Sequence, residues 1–156
     1  MSNCEAFGCP GLSPNWTSSA KQGIGTSLSA ASPVGLTLCH GILNEIYFPS
    51  VDTANTRDAQ YLVTDAASFM HEEKRHMKHG VEYSDPHSLA FRQTNTDPQG
   101  RYRIVKETIS DPHAPFVLVH TRFAPLHPET NNYRIYTLAA PHIGHPGMGN
   151  SAPFIT

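Results

Sequence analysis

Charged residues are scarce in this chain of 156 residues. Asp, Glu, Lys and Arg make up 15% of it and the formal net charge at pH 7 is −2, whereas about a quarter of an average soluble protein is charged. Such a surface lacks the basic patch with which proteins hold nucleic acids or anionic membranes. We therefore expect neither a nucleic acid nor a membrane as a partner.

Cysteine is equally rare, and the three residues are Cys4, Cys9 and Cys39. No two of them form a C-x-x-C pair, so we expect reduced thiols, although a bridge between Cys4 and Cys9 stays open. No apolar run approaches the roughly 20 residues of a membrane-spanning helix. No basic stretch followed by an apolar run, as in a signal peptide, begins the chain. These absences predict a cytoplasmic location, and a secreted or periplasmic one stays open for a processed form.

The motifs of enzyme chemistry are missing too. There is no G-x-S-x-G elbow, no P-loop and no dinucleotide fingerprint, so we predict no cofactor. The spacing of His71, His76 and His79 does not match a HExxH zinc helix, and we expect a solvated surface there without a metal. Glycoside hydrolysis needs two carboxyl groups that flank the bond, and nothing in the sequence pairs two acids in this way. The candidate acids are Glu45, Asp52, Asp58, Asp65, Glu72 and Glu73.

Turn residues and short alternating runs are what the chain does contain. Thirteen prolines and 11 glycines separate about ten short segments in which apolar and polar residues alternate, as in half-buried strands. No segment has a good helical period. This pattern predicts an all-β fold, an antiparallel two-sheet β-sandwich. We expect a loop segment at residues 1–22, the sandwich at 23–140 and a second loop at 141–156.

Several local features of the sandwich are predictable. The run at 42–48 alternates imperfectly, which indicates a β-bulge, and Asp97-Pro98-Gln99-Gly100 predicts a hairpin turn. The charged segment 69–83 is expected to form an outer hairpin rather than a helix. The run at 116–123 is apolar on both faces, which favours the middle of a sheet. The side chains expected between the sheets are Leu36, Leu38, Ile46, Tyr61, Val63, Phe91, Ile104, Val117 and Val119.

The stretch 40–65 carries the candidate site. It contains a predicted buried strand at 42–48, a returning strand at 60–64 and a polar loop at 49–58. Two interpretations of the loop stay open. It is either a functional edge held in place by the scaffold, or a solvated connection that only joins two strands.

Six residues are candidates for contact with a substrate or another domain: Tyr47, Phe48, Asp52, Arg57, Asp58 and Trp16. Arg57 can form a forked pair with a carboxylate of another domain, or with Asp58 or Asp52 inside the loop. The rings at 47 and 48 would provide an apolar wall beside it. The single tryptophan, Trp16, is either a core anchor or a flat platform for a sugar ring.

A family resemblance covers nearly the whole chain in order. The stretches that carry it are HGILNEIYFPSVD at 40–52, TRDAQYLVTD at 56–65, and the flanking segments Ala6 to Ser29, Phe69 to Phe123 and Leu138 to Ala152. They resemble the N-terminal β-sandwich domain of bacterial glucoamylases and glucodextranases, which belong to glycoside hydrolase family 15. The resemblance implies a supersandwich-like fold of which this chain holds only the first part, ending before the rest of the enzyme.

The same resemblance implies a division of labour. In that family the catalytic glutamates lie in a separate C-terminal (α/α)-barrel, and no position here matches them, so we expect this chain alone to be inactive. Its expected role is an accessory domain of an exo-acting glucosidase on α-1,4- or α-1,6-linked glucans. Its partners would be the barrel domain of the same polypeptide and, through that domain, an α-glucan. Open sheet edges would also allow a homodimer. The alternative is a stand-alone carbohydrate-binding or interaction sandwich.

Overall fold

Two antiparallel sheets form a β-sandwich, as the alternating runs predict. The computed structural model describes residues 20–142 and two further short strands, β1 (Cys4–Glu5) and β12 (Pro153–Phe154), which pair with each other. Each of the two segments expected to be loops therefore contains one strand of this pair. Trp16 lies outside the described residues.

The larger sheet has six strands. In chain order they are β2 (Gly23–Thr26), β3 (Gly35–Cys39), β4 (Ile42–Tyr47), β5 (Ala54–Thr64), β6 (Met70–Glu72) and β11 (Arg134–Pro141). Their spatial order is β11-β5-β4-β3-β2, and β6 pairs with the last residues of β5. The register of β4 against β5 shifts between Ile46 and Tyr47, which confirms the predicted bulge.

The smaller sheet has four strands. They are β7 (Lys78–Tyr83), β8 (Phe91–Thr96), β9 (Tyr102–Ser110) and β10 (Val117–Pro125), in the spatial order β10-β9-β8-β7. The turn between β8 and β9 is the predicted hairpin, closed by the Gly100 N–H, which donates to the Asp97 carbonyl over 2.9 Å. The central position predicted for the run at 116–123 is wrong. β10 is an edge strand, and Leu118 on its outer face is 55% exposed because no further layer covers it among the described residues.

The charged segment that follows residue 69 links the two sheets, so the predicted outer hairpin is wrong. β6 pairs with β5 of the larger sheet, a single helical turn, α1 (Glu73–His76), follows, and β7 enters the smaller sheet. Glu73 is buried in this crossing, where its Oε2 accepts a 2.8 Å hydrogen bond from the Tyr61 N–H. An interior contact between distant residues therefore sets the path of the chain, which a local pattern of charges does not reveal.

Two groups of side chains fill the interior. The leucine group consists of Leu36, Leu38, Leu43 and Phe91, with Ile46, Ala59, Val81, Leu89, Val117 and Val119 packed against it. The aromatic group consists of Val63, Met77, Tyr102 and Ile104, with Tyr61, Phe69, Phe123 and Tyr133 packed against it. All nine predicted core residues belong to these groups. Five of them are fully buried, whereas Ile46, Tyr61, Val117 and Val119 are only half-buried.

The returning strand starts earlier than predicted, which shortens the candidate loop. β5 begins at Ala54, so Arg57 and Asp58 are strand residues and only residues 48–53 connect the two strands. The start of β5 is polar, but its backbone bonds to β4 on one side and to β11 on the other. Backbone pairing on both edges holds this segment extended without an apolar pattern, so the sequence alone underestimates the strand.

A short 3-10 helix, Pro128–Asn132, precedes β11. In the described part of the chain, no helix has the length and apolar character that crossing a membrane would require.

Candidate functional site

The connection between β4 and β5 is a closed, rigid turn. The Phe48 N–H donates to the Thr53 carbonyl over 3.0 Å, and the Thr53 N–H donates to the Ser50 carbonyl over 3.1 Å. The Asn55 side-chain amide donates to the Phe48 carbonyl over 2.7 Å. Inside the turn the Ser50 hydroxyl donates to Asp52. These bonds hold the tip in one shape, as a functional edge on a scaffold requires.

The tip presents apolar side chains to solvent. Val51 is 86% exposed, the most exposed large apolar side chain described, and Phe48 is 38% exposed. Asp52 follows Val51 in the turn and is also exposed. The tip therefore exposes two apolar side chains with a carboxylate beside them. Such a surface suits contact with a second protein surface better than enclosure of a small ligand.

The base of the hairpin is held by Glu45. Its Oε2 accepts hydrogen bonds from Lys21 Nζ at 2.5 Å, from the Tyr47 hydroxyl at 2.7 Å and from Thr37 Oγ1 at 3.1 Å. Burial alone would raise the pKa of Glu45, but these donors outweigh it and the pKa is lowered. Burial and the neighbouring Glu45 raise the pKa of Tyr47 to about 12. Glu45 is thus an ionised anchor, and the Tyr47 ring is fixed by its hydroxyl.

Arg57 contacts its neighbour in β5. Its Nε lies 3.3 Å from Asp58 Oδ2 and its Nη2 lies 3.5 Å from Asp58 Oδ1. The Nε is buried without a well-aligned hydrogen-bond acceptor. Asp58 is one of the two partners predicted inside this stretch. Because these contacts are long, the guanidinium keeps capacity for a stronger carboxylate partner.

The six candidate acids are occupied by structural contacts. Three backbone N–H groups, those of residues 67, 68 and 69, donate to Asp65, whose pKa is lowered because Ser68 and these amides hydrogen-bond it. Glu72 accepts from Gln60 Nε2 at 2.8 Å and pairs with Arg75 at 3.2 Å. Of these six acids, Glu45 and Asp65 have a lowered pKa, because hydrogen-bond donors stabilise their charged forms. A glycosidase general acid needs the opposite shift.

Sequence reasoning missed a buried polar cluster that consists of Glu73, Asn95 and Lys106. Lys106 Nζ lies 3.0 Å from Glu73 Oε2, and the Asn95 side-chain amide donates to Glu73 Oε1 over 2.5 Å and to the Gly41 carbonyl over 2.8 Å. Burial lowers the pKa of Lys106, and Glu73 opposes that shift. A signal was present, because Lys106 lies in phase with Tyr102 and Ile104 along β9 and must point inward with them.

The histidines predicted on a solvated surface are in part structural. His71 Nδ1 lies 3.0 Å from Asp97 Oδ1, and Asp97 also accepts two 2.8 Å hydrogen bonds from the Arg101 guanidinium. His79 Nδ1 lies 3.1 Å from Asn95 Oδ1. Only His76 is exposed as expected. No group of three or more His, Cys, Asp or Glu residues in the described ranges could hold a metal ion.

Comparisons with known proteins agree on one kind of relative. The family described as Glucodextranase, domain N, matches residues 6–156. A glucoamylase of Clostridium sp. (strain G0005) is 35% identical over 150 residues, which are 96% of this chain and 21% of that protein. The crystal structure of a bacterial glucoamylase complexed with acarbose aligns with 92% of this chain at a TM-score of 0.85 and 34% identity, again over 21% of its own length. The chain thus spans about a fifth of the length of these relatives.

Proposed function

Because the chain belongs to the Glucodextranase, domain N, family, we propose that it is the N-terminal accessory domain of a glucoamylase-type, exo-acting glucosidase. It braces a catalytic (α/α)-barrel of the same polypeptide and brings a rim loop to the barrel's substrate pocket. The family match over residues 6–156 carries this proposal. The α-glucan reaches the enzyme through the barrel, and the chain itself contributes no catalytic acid.

The occupied carboxylates support the passive chemical role. Asp65 accepts hydrogen bonds from the backbone of the turn that it closes, and Glu73 forms an ion pair with Lys106 inside the sandwich. Glu73 is 0% exposed, so a glycosidic oxygen cannot come within hydrogen-bond distance of it, as general acid catalysis requires. We therefore expect no glucose release from maltose, starch or dextran by the 156-residue chain.

The β4–β5 hairpin supports the contact role. Val51 and Phe48 are exposed at its tip, while Glu45 fixes the base through three hydrogen bonds. A rigid apolar turn can bury its surface against a partner at little cost in conformational entropy. Arg57, which is 32% exposed beside Asp58, is available for a carboxylate of the barrel.

The test uses the complete polypeptide that carries this domain. Val51→Asp places a charge in the proposed contact, and Arg57→Ala removes the guanidinium. Each should lower kcat/KM on maltoheptaose, or bring domain N and the barrel to separate at lower urea concentration, while the fold of the domain persists. Leu126→Asp is the matched control, because Leu126 is an exposed apolar residue outside this hairpin. Wild-type kinetics and wild-type domain coupling in both hairpin variants would remove the hairpin from the proposal.

A stand-alone sugar-binding or interaction sandwich is the competing function. It predicts that the chain acts without a barrel and that hairpin variants change nothing in a hydrolysis assay. Glucose release by the complete polypeptide, absent from the isolated chain, decides between the two.

A further inference from the structure

Two surface grooves of similar volume, about 500 Å³ each, differ in their charge. The first lies on the outer face of the smaller sheet, where Arg92 bridges Glu82 and Glu107. The second lies at the end of β7 and contains no Asp, Glu, Lys or Arg. Its lining residues are Leu28, Tyr83, Pro86, His87, Ser88 and Leu89. A groove without fixed charge in a partly charged surface selects for a neutral ligand.

The second groove is shaped by a loop with its own hydrogen bonds. Ser84 and Ala90 close the β7–β8 connection through a 2.8 Å bond from the Ser84 N–H to the Ala90 carbonyl. Inside it the His87 N–H donates to Asp85 Oδ1 over 2.7 Å, and the Ala90 N–H donates to Ser88 Oγ over 3.3 Å. The groove is therefore formed before any ligand arrives.

Tyr83 provides an open aromatic surface. Its ring lies against Phe91, with centroids 5.0 Å apart and a tilt of 32°, and Phe91 is itself buried in the leucine group. Tyr83 as a whole is 60% exposed, and it lines the groove. One side of the ring is thus supported by the core, and the other is available for stacking.

Polar groups that keep hydrogen-bonding capacity line the groove together with this ring. Among the described residues, neither the Tyr83 hydroxyl nor the His87 ring forms a hydrogen bond or an ion pair. The Ser88 oxygen accepts from the Ala90 N–H, so its hydroxyl hydrogen remains available for donation. The groove therefore combines an aromatic platform and aliphatic walls with several free donors and acceptors.

A second depression, of about 140 Å³, continues this groove. This smaller depression shares Leu28, Ser88 and Leu89 with the uncharged groove at the end of β7, and it extends to Ile109 and Pro112. The combined path suits an extended ligand of several linked units rather than a single compact molecule.

We propose that this path, the Tyr83 groove, binds an α-glucan chain outside the catalytic domain. A pyranose ring has an apolar C–H face, which stacks on Tyr83. It also has a rim of neutral hydroxyls, which can form hydrogen bonds with the side chains of Tyr83, His87 and Ser88. The α linkage rests on the proposed function of the domain, whereas the neutral, hydroxyl-rich chemistry follows from the groove itself. The site would hold the polymer near the enzyme while the barrel removes units from a chain end.

The experiment is an NMR titration of the ¹⁵N-labelled 156-residue chain with maltoheptaose, isomaltoheptaose and cellohexaose. Saturable shifts of the amides of Leu28, Tyr83, His87 and Ser88 are expected with at least one of the two α-linked oligosaccharides. Tyr83→Ala should weaken binding at least tenfold, while Tyr83→Phe, which keeps the ring, should retain most of it. Tyr136→Ala is the matched control, because Tyr136 is an exposed tyrosine on β11. Thermal unfolding of each variant confirms that loss of the Phe91 contact has not unfolded the chain.

Three outcomes would overturn the site: no saturable shift with any oligosaccharide, shifts confined to another surface, or full affinity in folded Tyr83→Ala. Binding of cellohexaose alone would overturn the α-glucan assignment. Glucose release by the complete polypeptide is measured separately. Groove binding without hydrolysis would contradict the proposed function and leave the site standing, and hydrolysis without groove binding would do the reverse.

Discussion

The two ends of the sandwich interior are built in different ways. At one end the leucine group fills the space with Leu36, Leu38, Leu43 and Phe91 and contains no ionisable side chain. At the other end the aromatic group borders charged residues, with the Arg101 guanidinium 4.0 Å from the centre of the Phe69 ring. The cluster of Glu73, Asn95 and Lys106 lies between the two ends, since Lys106 on β9 lies between Ile104 of the aromatic group and Thr108, which pairs with Phe91 of the leucine group.

Because of this difference, the two ends should tolerate different kinds of amino-acid substitution. Apolar packing depends on volume, so the leucine group should accept a residue of similar size. A buried charge depends on one particular partner, because removal of that partner leaves the charge without solvation.

The largest effect is expected for Lys106→Met. The substitution keeps the side-chain length but leaves the Glu73 carboxylate buried with only the donors Asn95 and the Tyr61 N–H. Breaking a buried pair from one side costs about 3–5 kcal/mol. The free energy of unfolding, measured in urea, should fall by that amount.

The control for this prediction is the double variant Glu73→Gln with Lys106→Met. The amide oxygen of this glutamine can accept from Asn95 or from the Tyr61 N–H but not from both, so only part of the lost stability should return, because no charge remains buried. If the single and double variants are equally unstable, the charge of Glu73 is not the cause of the loss.

The second effect is expected for Leu38→Ala. Leu38 is completely buried in the leucine group, and a large-to-small change at such a site costs about 2–5 kcal/mol. Leu38→Met keeps the volume and should cost less than about 1.5 kcal/mol. Urea unfolding of both variants gives the comparison. Equal losses in the two would mean that this end is as intolerant of substitution as the polar cluster.

The same contrast explains how much could be predicted from the sequence. The alternation of apolar and polar residues predicted that Leu36, Leu38 and Phe91 are buried, because the apolar character of a strand residue by itself indicates that its side chain faces the interior. It overlooked Lys106, whose burial depends on Glu73, a residue 33 positions away. The start of β5 was missed for a related reason, since Arg57 and Asp58 are held by backbone pairing with neighbouring strands.

The candidate site shows the same division. The position of the β4–β5 hairpin and the bulge in β4 were predictable, because strands and turns have local signatures. The anchoring of Tyr47 by Glu45 and the exposure of Val51 at the tip were not predictable, because they depend on how distant strands meet. The supporting Phe91 beneath Tyr83 likewise becomes visible only in the pairing of β7 with β8.

The third effect is a loss of stability in mild acid that arises at the aromatic end. Burial lowers the pKa of His71 below its ordinary 6.5, and Arg101 adds to the shift while Asp97 opposes it. The folded state therefore binds fewer protons than the unfolded state below pH 6.5. Stability should be level above that value and should decline as the pH falls toward the folded-state pKa of His71.

The measurement is the free energy of unfolding in urea across this interval. His71→Gln should flatten the decline, because the titrating ring is gone. Leu38→Met, at the other end of the interior, should keep the wild-type slope. An unchanged slope in His71→Gln would assign the decline to other groups.

The smallest effect is expected at the surface pair Arg92–Glu107. Its 2.8 Å separation is no longer than the 3.0 Å of Lys106–Glu73, yet its side chains are 44% and 45% exposed, against 3% and 0%. Water and salt screen an exposed pair, and each ion is well solvated without the other. Arg92→Gln should therefore leave the urea midpoint unchanged at physiological ionic strength, although it breaks a contact as short as the buried one. A loss comparable to that of Lys106→Met would mean that burial does not separate the two pairs, and would remove the basis of the contrast between the polar cluster and the surface.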